Sequence, residues 1–154
     1  HRYNVAPLNE FFLRTSPTAP ESRSRQDKET IRIAWLRRFA SPPAHVNSLL
    51  EKFANSGIDV WLVNGENLPL EQMLCFDLIL LESSSQSATL VCNSIERIRA
   101  GSRAPLILLT DDYSVQWSIT ALQAGADAVL PLSASTDVVL ARCCSLLRRW
   151  LSDV

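Results

Sequence analysis

Residues Asp77-Leu78-Ile79-Leu80-Leu81-Glu82-Ser83 form a short apolar run closed by a carboxylate and small polar residues. In an open α/β sheet, ligands and chemistry collect outside the carboxyl ends of the strands. Glu82 is therefore the first candidate for a functional group. Three further strand ends are expected at the same rim: Trp35-Leu36-Arg37-Arg38, Thr110-Asp111-Asp112 and Leu132-Ser133. Carboxylates brought together there could share acid and base roles, with Glu82 acting beside Asp111 or Asp112.

Other chemistries lack their residues. The glycines are Gly57, Gly65, Gly101 and Gly125, and none stands in a dinucleotide or P-loop pattern. No G-x-S-x-G elbow is present, and the histidines are His1 and His45 alone, so a Ser-His-Asp or Cys-His site has no convincing base. Cys75, Cys92, Cys143 and Cys144 include no C-x-x-C pair. They read as buried thiols of a reducing cytoplasm, with no metal site and no cofactor expected.

The chain has 154 residues, with 15 Lys and Arg against 16 Asp and Glu. That balance gives no electrostatic case for direct nucleic-acid binding. No segment has the apolar length of a membrane span, and the N-terminus lacks a signal-peptide layout. The chain starts at His1 rather than Met, which reads as a fragment or as added residues.

Two regions are expected. Residues 1–30 are an N-terminal extension: an apolar cluster (Val5, Leu8, Phe11, Phe12, Leu13), then a linker from Thr15 to Thr30 rich in Pro, Ser and charge. The cluster is either unstructured or a small amphipathic segment that docks on an apolar surface. Residues 31–154 form the domain.

Apolar runs predict strands at Ile31–Leu36, Ile58–Val63, Asp77–Leu81, Pro105–Thr110 and Ala128–Leu132. Helices are expected from Pro42 to Ser56, Pro69 to Cys75, Thr89 to Arg99, Ser114 to Ala124 and Ser135 to Leu151. Ile58–Val63 suits an edge strand, and Pro131 places the last strand at the other edge. Five strands alternating with five helices demand a mostly parallel sheet covered on both faces.

From about Ile31 to Ser152 the chain resembles the receiver domain of bacterial two-component response regulators. The resemblance rests on Asp77-Leu-Ile-Leu-Leu-Glu82, on Pro105-Leu-Ile-Leu-Leu-Thr110 and on Ala121-Leu-Gln-Ala-Gly-Ala-Asp127. It implies a flavodoxin-like (βα)5 fold with a five-stranded parallel sheet in the order 2-1-3-4-5. Glu82 stands where a receiver has its phosphoacceptor aspartate, and Thr110 matches the hydroxyl residue after the fourth strand.

The departures from the family change the expected function. A working receiver holds Mg²⁺ with an acidic pair after the first strand; here Arg37 and Arg38 occupy that end. Mg²⁺ requires oxygen ligands. The receiver's lysine after the fifth strand is replaced by Leu132, aligning by Gly125, or by Leu130, aligning by Pro131. Val129 stands for the aromatic switch residue. The expectation is a degenerate receiver, or pseudo-receiver, that carries out no phosphoryl transfer and no other catalysis.

Glu82 itself has three readings: an exposed residue without a role, a salt-bridge partner of Arg37 or Arg38, or a fixed mimic of the phosphorylated state. The alternative functions are a working but atypical phosphoacceptor and, behind it, a carboxylate-based enzyme.

On the last helix Val139, Cys143, Leu147 and Trp150 form an apolar stripe, and Trp117 lies on the helix before it. The stripe is broader than sheet cover requires. These residues are the candidate partner face for a homodimer through the last two helices. The resemblance further implies a DNA-binding effector domain after the last helix.

Overall fold

The structure is a computed structural model, and it describes residues 30–37, 46–64, 74–83 and 88–152. The elements in chain order are β1 (Ile31–Arg37), α1 (Val46–Asn55), β2 (Ile58–Asn64), β3 (Leu78–Ser83), α2 (Ala88–Gly101), β4 (Leu106–Thr110), α3 (Val115–Ala124), β5 (Ala128–Pro131) and α4 (Thr136–Ser152). The strands form one sheet in the order β2-β1-β3-β4-β5, with every pairing parallel. The two strands assigned to edges, β2 and β5, lie there.

Alternation along each strand splits the core in two. Ala34, Leu36, Ile79, Leu81, Leu106 and Leu108 face one side, where α2 covers them with Val91, Ile95 and Ile98 and α3 with Trp117 and Ala121. Ile33, Trp35, Leu78, Leu80, Ile107 and Leu109 face the other side, beneath Leu49, Leu50 and Phe53 of α1 and Val139, Cys143 and Leu147 of α4. β3 and β4 are buried at every residue, as central strands covered on both faces must be.

Several boundaries differ from expectation. β3 continues through Glu82 and Ser83, so Glu82 lies within the ladder, opposite Leu109, and not beyond it. β5 ends at Pro131, which leaves Leu132 in the following turn, its N–H donating to Thr110 O at 2.8 Å. α2 starts one residue earlier than expected and ends two later. The described residues contain four helices; the helix expected over Pro69–Cys75 lies mostly outside them, as do residues 1–29 and Arg38.

α3 is bounded as its sequence predicts. Ser114 caps its start by accepting from the Trp117 N–H at 3.2 Å. Gly125 ends it at φ +130°, a conformation that L side chains rarely adopt. A Cβ there would also stand 3.3 Å from Arg99 Cγ.

Candidate functional site

The carboxyl rim is built from the last residues of β1, β3 and β4. Residues Trp35 and Arg37 are two apart on β1 and share a face. Glu82 on β3 faces the same side. Its Oε2 lies 2.5 Å from Arg37 Nε and accepts from Trp35 Nε1 at 3.0 Å. The Arg37 guanidinium carbon stands 5.6 Å from the centre of the Trp35 ring, within cation–π range. Arg37 is 3% exposed and Glu82 is fully buried.

This arrangement decides among the readings of Glu82. It is not an exposed side chain. It is one half of an ion pair with Arg37, closed by an indole. The Arg37 contact is coulombic: the Nε–H is not aligned for a hydrogen bond, and among the described residues Arg37 Nη2 also has no hydrogen-bond partner. A buried pair of this kind loses much hydration, and its mutual attraction does little more than offset that loss. Removing either partner alone would take a counter-charge from the other inside the protein.

Thr110 belongs to a different cluster. Its hydroxyl accepts from Trp117 Nε1 at 2.9 Å and from the Asp112 N–H at 3.1 Å, and it lies 3.3 Å from Asp112 O. Thr110 is in register with Ser83, one position beyond Glu82, so the two side chains leave the sheet on opposite faces. Trp35 and Arg37 hold Glu82 toward the α1/α4 side, while Trp117 holds Thr110 toward the α2/α3 side. The rim brings Arg37 to Glu82 but keeps Thr110 with Trp117. Two indole N–H groups thus occupy the two oxygens that resemble a receiver's working groups.

The residues do not fit the Mg²⁺ that the resemblance implies. A guanidinium occupies the flank of the only acceptor-like carboxylate on β3, and among the described residues no three His, Cys, Asp or Glu side chains converge. Leu132, at the lysine position, is half-buried and packs on the α1/α4 side; Leu130 is buried there as well. Neither supplies a cation. Asp111 is exposed, whereas Glu82 is sealed, so the two do not make a solvent-facing acid–base pair.

The proposed partner face requires correction. Trp117, Val139, Cys143 and Leu147 are 7%, 2%, 0% and 4% exposed. They are core side chains: the stripe is broad because α4 seals both the sheet and its junction with α1. Trp150 is half-buried, and its Nε1 donates to Asp77 Oδ1 at 3.2 Å. The exposed apolar residues in this part of the fold are Val115, Ile119 and Leu122 on α3, Tyr113 before it, and Val138 on α4.

Sequence reasoning passed over Trp35, Trp117 as a hydrogen-bond donor, and Asp77. The alternation Trp35-x-Arg37 could have signalled the first, because it places an indole and a guanidinium on one strand face. Of the four cysteines expected in the core, Cys75 and Cys143 are buried while Cys92 and Cys144 are half-buried; burial, and then the neighbouring Cys144, push the Cys143 pKa up to about 12.

Several solved structures described as CheY-like proteins or response regulators share this architecture. A CheY-like protein (TadZ) from Pseudomonas aeruginosa PAO1 aligns with a TM-score of 0.61 at 16% identity, covering 75% of this chain and 98% of that one. A response regulator from Thermotoga maritima gives 0.60 at 19% identity over 77% and 98%. A CheY-like receiver domain protein from Methanospirillum hungatei JF-1 gives 0.62 at 20% identity over 81% and 99%. No protein-family model and no curated protein matches the sequence. The chain therefore has the CheY-like, flavodoxin-like receiver fold with sheet order 2-1-3-4-5.

Proposed function

We propose that this receiver-fold chain is a pseudo-receiver: a signal-transduction module that presents a protein-interaction surface and is not switched by phosphorylation. The observation that carries this reading is the buried Arg37–Glu82 pair closed by Trp35. Phosphoryl transfer needs an in-line approach to the acceptor and a cation to spread the developing charge. Here the acceptor position is longer by a methylene, sealed from solvent and paired with a guanidinium. A fixed mimic of a phosphoryl group would need to present its charge, and Arg37 neutralises it locally.

Incubation of the protein with acetyl phosphate and Mg²⁺, followed by intact-mass measurement, tests the reading. The expected spectrum shows unmodified protein only. A phosphoryl adduct mapped to Glu82 would sink it in favour of a working, atypical receiver.

The interaction surface is proposed to be the outer face of α3. Val115, Ile119 and Leu122 recur at helical spacing and are 76%, 47% and 46% exposed, on a helix with no charged residue. A second copy of the chain is the proposed occupant, and a DNA-binding effector domain the proposed reader. Sedimentation should show a dimer that Ile119→Glu with Leu122→Glu converts to a monomer. A monomeric parent protein would remove the dimer from the proposal.

A further inference from the structure

At the opposite, amino-terminal rim, two clefts of about 450 and 430 Å³ open on either side of Trp150, which lines both together with Arg103. The first has an apolar wall of Leu74, Phe76 and Trp150 facing Arg99 and Arg103, and among the described residues no carboxylate lines it. The second adds Arg149, Leu146 and Asp127. Volumes of this order suit a ligand of one or two rings.

The cations differ in availability. Arg99 is spent on the fold: Nε donates to Gly125 O, Nη1 to Ser102 O and Ala104 O, and Nη2 to Asp127 Oδ2. Asp127 is thereby neutralised, and its Oδ2 also accepts the Leu106 N–H at 2.8 Å. Arg103 and Arg149 are exposed, and among the described residues neither has an ion-pair partner. The Trp150 ring is a fixed wall, because Asp77 pins its N–H from below. Leu74 is 59% exposed beside it, an apolar cost that the fold alone does not require.

We infer that this rim binds a small planar anion: a ring system stacked against Trp150 and Leu74 in the first cleft, with a carboxylate or phosphate held by Arg103, which lines both clefts. A guanidinium pairs with either oxyanion in the same planar geometry. The site is separate from the carboxyl rim and does not depend on the pseudo-receiver reading.

The test uses the full chain, with the Trp150 indole N–H resonance as the local signal and calorimetry for affinity. The probes are 2-naphthoate, adenosine monophosphate, the neutral 2-naphthamide and inorganic phosphate. At least one of the ring-bearing anions should bind saturably and move the Trp150 resonance; which of the two binds tells carboxylate from phosphate. Arg103→Glu should weaken it by about tenfold or more, the scale of one lost charge pair. Arg142→Glu, an exposed change elsewhere on α4, should leave binding unchanged. Saturation by neither anion, equal binding of 2-naphthamide, or unchanged binding in Arg103→Glu would each overturn the inference. Binding of inorganic phosphate as tight as that of the nucleotide would overturn the stacking part of it.

Discussion

At the carboxyl rim a buried carboxylate, Glu82, is answered by side chains, a guanidinium and an indole. At the amino rim two aspartates are answered by backbone. Asp77 Oδ2 accepts the Arg32 N–H, and Asp127 Oδ2 accepts the Leu106 N–H. Each aspartate stands just before its own strand and grips the first residues of the next one, so it ties β3 to β1 and β5 to β4. A helix residue then locks each from outside, Trp150 for Asp77 and Arg99 for Asp127. The difference lies in what each carboxylate holds. The aspartates satisfy main-chain donors that exist whatever the side chains are. Glu82 instead takes up side-chain groups, the Arg37 guanidinium and the Trp35 N–H, which a change of residue can remove.

That contrast can be broken most directly at Arg37. Arg37→Ala should cost about 3–5 kcal/mol in urea unfolding, because the buried Glu82 carboxylate loses its Arg37 counter-charge. Arg37→Met combined with Glu82→Leu should recover part of that loss, staying about 1–3 kcal/mol below the parent because the buried Trp35 N–H then lacks its acceptor. A double variant as unstable as the single one would mean that the pair contributes net stability.

At the amino rim no such rescue is expected. Asp77→Ala should cost about 2–3 kcal/mol, since the Arg32 N–H and the Trp150 N–H lose their acceptor. Adding Trp150→Phe should not restore the loss, because the backbone donor remains unpaired. Recovery in that double variant would show that the indole, not the strand tie, matters.

Between the rims, Cys143 offers a measurement on charge alone. Its thiol is raised in the folded state to about 12 by burial and by Cys144. A raised acid keeps its proton when folded and loses it when unfolded, so stability is full below the unfolded value and falls above it. The decline should begin near pH 9 and approach about 1.4 kcal/mol per pH unit. In Cys143→Ala that part of the slope should vanish.

The smallest effect belongs to Thr110. Trp117→Phe keeps the ring and deletes the N–H to Thr110 Oγ1, at an expected cost of about 1 kcal/mol. Thermal unfolding of this variant would show whether Thr110 is held mainly by the indole or by the Asp112 main chain.

Much of the scaffold was legible in the chain. The continuous apolar runs of β3 and β4 announce strands buried on both faces, and Pro131 announces an edge. Ala121-Leu-Gln-Ala-Gly-Ala-Asp127 marks a helix stop and a strand start that the structure reproduces. The candidate partner face was misread for a physical reason. Periodicity shows which side of a helix is apolar but not how much apolar surface waits to meet it. α4 packs on both the sheet and α1, so a broad stripe was all core. α3 has no charged residue, and its buried Trp117 and Ala121 recur at helical spacing just as its exposed Val115, Ile119 and Leu122 do, so periodicity could not tell the core face from the outer one.

The amino-acid sequence by itself determined the parallel sheet and its two edges, because these depend on local pattern and residue type. Only the tertiary structure decided what became of Glu82. Its fate depends on strand register: Trp35 and Arg37 stand 47 and 45 positions from Glu82 in the chain yet reach it at 3.0 and 2.5 Å, while Thr110, one register step away, turns to the other face. Pairing across a sheet is a long-range choice made by the whole core, and no stretch of the sequence encodes it alone.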